Sequence, residues 1–278
     1  MLPGTHEIHR KEDLLTMKTA GTSRWLLSTL ALAAASTPAW ADDPKPDGQW
    51  RGTGGASLSL AQGNTRSESL NLNFTAAAIT DQDKWSYYGQ ALYGRAKVNG
   101  LNTTSANLEK LGGRYDRNLT YDIYGYGGLD FEHDQLTLIG LRSVASLGLG
   151  YHVIRSDTHT WDVFNGLTYK ADKYLEPGQV VGGSERIWYT SPEYEIGEES
   201  NHKLTQTTTF KQSLTAYDDL RNTGSYRAEF DAGLAVSMTK TLQMTLTFQD
   251  RFSSIAVSPV LKNDALLTAG VAYKFGPE

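Results

Sequence analysis

From Trp50 onward, apolar and polar residues alternate at period two in segments of about ten residues, the pattern of strands with one apolar face. In "WRGTGGASLSLAQ", Trp50, Gly52, Gly54, Ala56, Leu58 and Leu60 share one face, and Arg51, Thr53, Gly55, Ser57 and Ser59 share the other. "ESLNLNFTAAAI" sets Leu70, Leu72, Phe74, Ala76 and Ala78 against Ser69, Asn71, Asn73 and Thr75. "YRAEFDAGLAVSM" sets Tyr226, Ala228, Phe230, Ala232, Leu234, Val236 and Met238 against Arg227, Glu229, Asp231 and Gly233. "LRSVASLGLGYHV" and "TLQMTLTFQDRF" alternate in the same way. Helical periodicity is scarce.

The pattern predicts twelve strands, beginning near Trp50, Ser67, Trp85, Ser105, Thr120, Leu141, Thr160, Arg186, His202, Ser225, Thr241 and Asp264. A soluble sandwich or small barrel also alternates, but its strands average about five or six residues. Strands of roughly nine to eleven residues suit a bilayer crossed at a tilt. Connections alternate as well. "TDQDK", "DRNLT", "RSDTHT", "EESNH" and "MTKT" are short and read as periplasmic turns. "VNGLNTT", "EHDQLTLIG", "DKYLEPGQVVGGSE", "YDDLRNTG" and "SSIAVSPVLKN" read as outer loops, and only "QGNTR" among the outer connections is tight. That asymmetry marks outer-membrane barrels. The expected fold is all-β: an antiparallel up-and-down transmembrane β-barrel of about twelve strands.

Aromatic residues sort to strand ends, where their amphipathic rings suit a membrane interface. Trp50, Trp85, Tyr121, Tyr151, Trp161 and Tyr273 fall at the periplasmic ends; Phe131, Tyr169, Trp188, Tyr217, Tyr226 and Phe252 fall at the outer ends. The last strand, "TAGVAYKF", has the form of a C-terminal assembly signal carried by Thr268, Gly270, Tyr273 and Phe275, although "GPE" follows it. It is expected to pair with the first strand and leave no open edge.

Residues 17–41, "MKTAGTSRWLLSTLALAAASTPAWA", combine a basic start (Lys18, Arg24), a short apolar run and the small residues Ala39 and Ala41 around Trp40. This is the order of a cleaved secretory signal, with an apolar run too short to span a bilayer. Residues 1–16 fit no targeting pattern and read as an upstream start or short extension. Residues 42–48 then form a periplasmic segment, and 49–278 the barrel. Four of the 26 Lys and Arg and three of the 31 Asp and Glu precede Asp42, leaving a net charge of −6. That excludes a nucleic-acid-binding composition. There is no Cys, so disulfides contribute nothing.

On the polar faces lie Arg51, Arg95, Lys97, Lys110, Arg114, Arg142, His152, Lys170, Lys211, Arg227 and Arg251, with Asp122, Asp130, Asp162, Glu229 and Asp231. Arg114, Arg142, Asp162, Arg227, Glu229, Asp231 and Arg251 are the principal candidate lumen charges. Mixed signs pair across strands, so a hydrated channel and a closed, ion-paired core both remain open. A lipid-acting barrel enzyme needs Ser, His and carboxylate together. The His candidates are His133, His152, His159 and His202, and no Ser is singled out beside them. The reading is therefore non-enzymatic, without cofactor or metal; "EHD" (132–134) and "DD" (218–219) read as solvated loop charges. His6 and His9 lack further ligands nearby.

"GN" (Gly63, Asn64), "LGLGYHV" (147–153), "YRAEFDAGL" (226–234) and "DRFSSIAVSPVLKNDALLTAGVAYKF" (250–275), in this order and spacing, resemble the YdiY-like group of the domain of unknown function 481, whose members are described as salt-induced outer membrane proteins. The resemblance spans roughly residues 48–275 and implies an outer-membrane barrel of a Gram-negative bacterium. It implies partners in membrane lipid, lipopolysaccharide and the barrel-assembly machinery, and a link to envelope or osmotic stress; it supplies no catalytic residues. A structural barrel or narrow passive pore, monomeric, is the leading expectation, with a surface-binding or adhesion barrel as the alternative.

Overall fold

The computed structural model describes residues 46–61, 66–98, 101–175, 179–181, 184–255 and 262–277. Within them the alternating segments are strands: β1 (Arg51–Ala61), β2 (Arg66–Ile79), β3 (Asp83–Val98), β4 (Leu101–Asn118), β5 (Ile123–Asp134), β6 (Ile139–Arg155), β7 (His159–Tyr174), β8 (Gln179–Val181), β9 (Ser184–Arg186), β10 (Trp188–Lys203), β11 (Thr208–Asp219), β12 (Tyr226–Ser237), β13 (Leu242–Ser253) and β14 (Asn263–Phe275). Twelve of these close an antiparallel barrel, and β8 and β9 form a separate two-stranded hairpin in the β7–β10 connection. Ala39 and Ala41 lie outside the described residues.

Closure comes from β1 and β14, in register from Gly52 opposite Phe275 to Leu58 opposite Ala269. Both chain ends leave from one rim, here the termini rim. The backbone ladder is continuous around the barrel, so none of its twelve strands is an edge strand.

The faces are inverted relative to a soluble barrel. Large apolar side chains such as Leu58, Leu72, Phe74, Leu147, Leu167, Leu246 and Val271 are exposed on the outside. Arg51, Asn71, Gln90, Glu132, Lys170, Asp172, Glu193 and Asp231 are buried inside. Trp50, Trp85, Tyr121, Tyr151, Trp161 and Tyr273 are exposed near the termini rim, and Phe131, Tyr169, Trp188 and Tyr226 towards the far rim.

Inward tyrosines fit over inward glycines of neighbouring strands. The Tyr88 ring occupies the space a side chain would need at Gly112, Tyr124 the space at Gly150, and Tyr126 the space at Gly148 and Gly166. Glycine here permits close approach within the barrel.

Several expectations are corrected. "EESNH" is not a turn: it ends β10, and the turn is 204–207. Glu199 faces inward within 3.8 Å of Lys84, and Ser200 is buried. A polar run reads as a turn only if the barrel interior is forgotten. The fourth strand begins at Leu101, not near Ser105, and the third runs to Val98. The β5–β6 connection is only 135–138. Arg95 and Lys97 are outside the barrel, exposed, because Leu92 and Ala96 turn inward. Asp122 lies in the exposed turn at the termini rim. Tyr217, assigned to the outer girdle, faces inward under the Arg227 guanidinium, 3.4 Å from its ring centre.

The glycine notches are directly testable. A methyl at Gly148 meets the Asn165 carbonyl oxygen and the Tyr126 ring, whereas nothing lies within contact of one at Gly54. Gly148→Ala is expected to cost about 1–3 kcal/mol in urea unfolding of the refolded barrel. Gly54→Ala should change it by less than about 0.5 kcal/mol.

Candidate functional site: the charged interior

The alternation that turns leucines outward brings their charged neighbours to face one another across the lumen. Towards the far rim Glu132 (β5) receives Lys110 (β4) at 2.7 Å, Arg142 (β6) at 3.4 Å and Arg251 (β13) at 3.2 Å. Around the closed strand order β5 and β13 are six strands apart in either direction. The Arg251–Glu132 pair therefore spans the barrel's diameter.

The lattice extends on both sides. Arg142 also holds Asp172 at 2.7 Å through Nε and 3.1 Å through Nη2, a two-pronged guanidinium–carboxylate contact. Glu193 binds Lys170 at 2.6 Å and Arg227 at 3.1 Å, and accepts from the Thr168 hydroxyl at 3.2 Å. Arg227 reaches Glu229 at 2.7 Å, and Glu229 lies 3.6 Å from Arg251. Asp172 and Glu193 are only 1% exposed. Buried charges persist only when paired and hydrogen-bonded, and each carboxylate here meets at least one cation.

Towards the termini rim the interior becomes aromatic. Arg114 pairs with Asp116 at 2.6 Å and stacks on Tyr126, 4.2 Å from its centre. The Tyr126 hydroxyl donates to Glu195, and the Tyr88 hydroxyl to Asp130. His152 contacts Asp162 at 2.8 Å and Asn118 at 3.1 Å. Asp231 accepts from Gln249 at 2.9 Å. At the rim itself Arg51 grips Asp47 through two contacts of 2.7 Å, and this pairing holds the Asp47 carboxyl below its ordinary range.

Near the far rim one side of the interior is apolar. Leu92, Ala106, Leu108 and Leu266 are each 1% exposed and pack with Leu136 from the 135–138 turn. That turn is closed by the Asp134 carboxylate, which accepts from the Leu136 and Thr137 amides. Cavities lie between these groups along the interior. A cavity of about 160 Å³ sits at the far rim, one of about 180 Å³ in the middle, and one of about 330 Å³ at the termini rim.

Among the sequence candidates, Arg142, Arg227, Glu229 and Arg251 meet in one lattice, Arg114 and Asp162 lie nearer the termini rim, and Asp231 stands beside Gln249. Glu132, Asp134 and Asp219, read as solvated loop charges, are instead buried strand residues, because β5 and β11 run on through "EHD" and "DD". Asp172, Glu193 and Glu195 escaped the sequence reading. The last two had a signal: in "PEYEI" they alternate with exposed Tyr194 and Ile196. In the last strand Thr268 faces inward to Thr247 at 3.0 Å, while Tyr273 and Phe275 face outward. Gly270 is crowded by the β1 backbone.

Residues 54–275 match the family described as "Protein of unknown function, DUF481". The chain belongs to this family. No curated protein matches. Among solved structures, the family member resembles the NanC porin at 9% identity and TM-score 0.46, over 80% of this chain and 97% of that one. It resembles the translocator domain of autotransporter NalP from Neisseria meningitidis at 14% and 0.45, over 84% and 91%. An outer membrane channel from Pseudomonas putida F1 matches at 11% and 0.47, over 87% and 100%. At such identities and TM-scores the likeness does not bear on what this barrel does.

Removing Glu132 leaves three cations facing one another. Glu132→Ala is expected to cost about 3–5 kcal/mol in denaturant unfolding. Glu109→Ala, at an exposed position of β4, should stay within about 0.5 kcal/mol.

Proposed function

We propose that this protein is an outer-membrane barrel of a Gram-negative envelope whose lumen is held closed by its own ion pairs. On this reading it is a structural or tightly gated element, not a freely open pore. The observation that carries the reading is the Arg251–Glu132 contact across the diameter, with the lattice around it. The inverted faces support the membrane setting, since an exposed apolar wall around a charged interior suits lipid and not water. The termini rim is then periplasmic.

In this setting the segment 17–41 is an export signal cleaved after Ala41, and the last strand, with Thr268, Gly270, Tyr273 and Phe275, addresses the assembly machinery. The barrel works as a monomer in contact with lipid and lipopolysaccharide. A part in envelope or osmotic stress rests on the family resemblance. A non-enzymatic role agrees with the histidine environments. His133 binds the Gly140 carbonyl and His152 binds Asp162. His202 touches Ser200 at 3.2 Å, but its ring neighbours are His159 and Phe210, where a triad places a carboxylate.

A second reading, surface binding, draws on the far rim. The longer connections, 175–187, 220–225 and 254–262, all emerge from the half of the barrel formed by β7 and β10–β14.

Single-channel recording in planar bilayers tests the closed lumen. The wild-type barrel is expected to show no sustained steps, and the paired variant Glu132→Ser with Arg251→Ser to show discrete ones. A wild-type barrel that conducts steadily, with the variant unchanged, overturns the closed lattice.

A further inference from the structure

On the outer face of the termini rim, His159 of β7 and His202 of β10 stand directly opposite each other. The amide of Lys203 donates to the Thr158 carbonyl at 2.8 Å, so the bond flanks the two histidines and does not join them. They form a non-hydrogen-bonded pair, the type whose side chains approach most closely. Their ring centres are 5.2 Å apart. A zinc ion about 2.0–2.1 Å from an imidazole nitrogen lies roughly 3.2 Å from the ring centre, and a tetrahedral angle then separates two ring centres by about 5.2 Å. The observed separation of ring centres equals that value, and it also lies within the range of an ordinary ring–ring contact.

The surroundings fit as well. His202 Nε2 is 3.2 Å from the Ser200 hydroxyl. With Nε2–H donating to that oxygen, the Nδ1 lone pair is free, and metal-bound histidines usually donate their second ring N–H to an acceptor in this way. Phe210 stacks on His202 and limits its rotation. His159 is exposed, so an ion can reach the pair.

We propose that His159 and His202 form a two-histidine site for a divalent transition metal ion of the zinc, nickel or copper class. No group of three or more His, Cys, Asp or Glu side chains with ligating geometry occurs among the described residues, so water completes the coordination. The ion bridges β7 and β10 at the rim opposite their connection. That connection is long enough to carry its own hairpin, so no tight turn holds these two strands in register. The site needs no membrane and no particular state of the lumen.

The test is calorimetric titration of the refolded full chain with Zn²⁺ and Ni²⁺, in a His6→Asn, His9→Asn background that removes the N-terminal histidines. One ion per barrel is expected. His159→Asn and His202→Asn should each weaken binding about tenfold or more, and Ser200→Ala by a smaller factor. In EDTA these variants should unfold at the parent's temperature, and the rise in that temperature caused by metal should be lost with either histidine. Binding unchanged in both single variants, or no binding by the parent up to about 1 mM metal, overturns the site.

Discussion

The backbone ladder has to close on itself, and the rest of the molecule follows from that requirement. A strand edge left open beside an apolar wall carries rows of unpaired amide and carbonyl groups. The β1–β14 seam removes that edge, and small residues make the seam possible. Gly52 lies beneath the Phe275 ring, and Gly270 lies against the β1 backbone. Once closed, the sheet has one apolar face and one mixed face, and the mixed face points inward.

Closure creates a second problem, because twelve polar faces now converge on a narrow interior. Two devices fill it. Tyrosines lean over glycines, so large rings occupy volume without forcing strands apart. Carboxylates collect cations from several strands, and Glu132 collects three. Isolated surface ion pairs contribute little. Here the pairs are buried, and removing one member strands the others. The same lattice that pairs these charges is the one on which the proposed closed lumen rests.

Much of the fold was legible because period two is a strong signal when one face is uniformly apolar. Strand number, closure and the outward set of β1, β2 and β12 follow from it. The interior was less legible. A polar run such as "EESNH" looks like a turn when it is a strand with a charged inward face. "ALYGRAKV" looks like a strand with inward basic residues, yet Leu92 turns in to meet Leu108 and Leu266, Ala96 is buried, and Arg95 and Lys97 turn out. Which charges meet depends on the stagger between strands far apart in sequence. No local pattern specifies that Glu132 and Arg251, 119 residues apart, share a hydrogen bond. The His159–His202 pair is hidden for the same reason: it exists only through the β7–β10 register.

The most direct measurement of the account is a double-mutant cycle on Glu132 and Arg251, read by unfolding free energy in detergent or lipid. An ion pair across the diameter predicts a coupling of roughly 0.5–3 kcal/mol between the two alanine substitutions. Additive effects, to within about 0.3–0.5 kcal/mol, would mean that the two side chains do not meet and that the lumen is not closed by this pair.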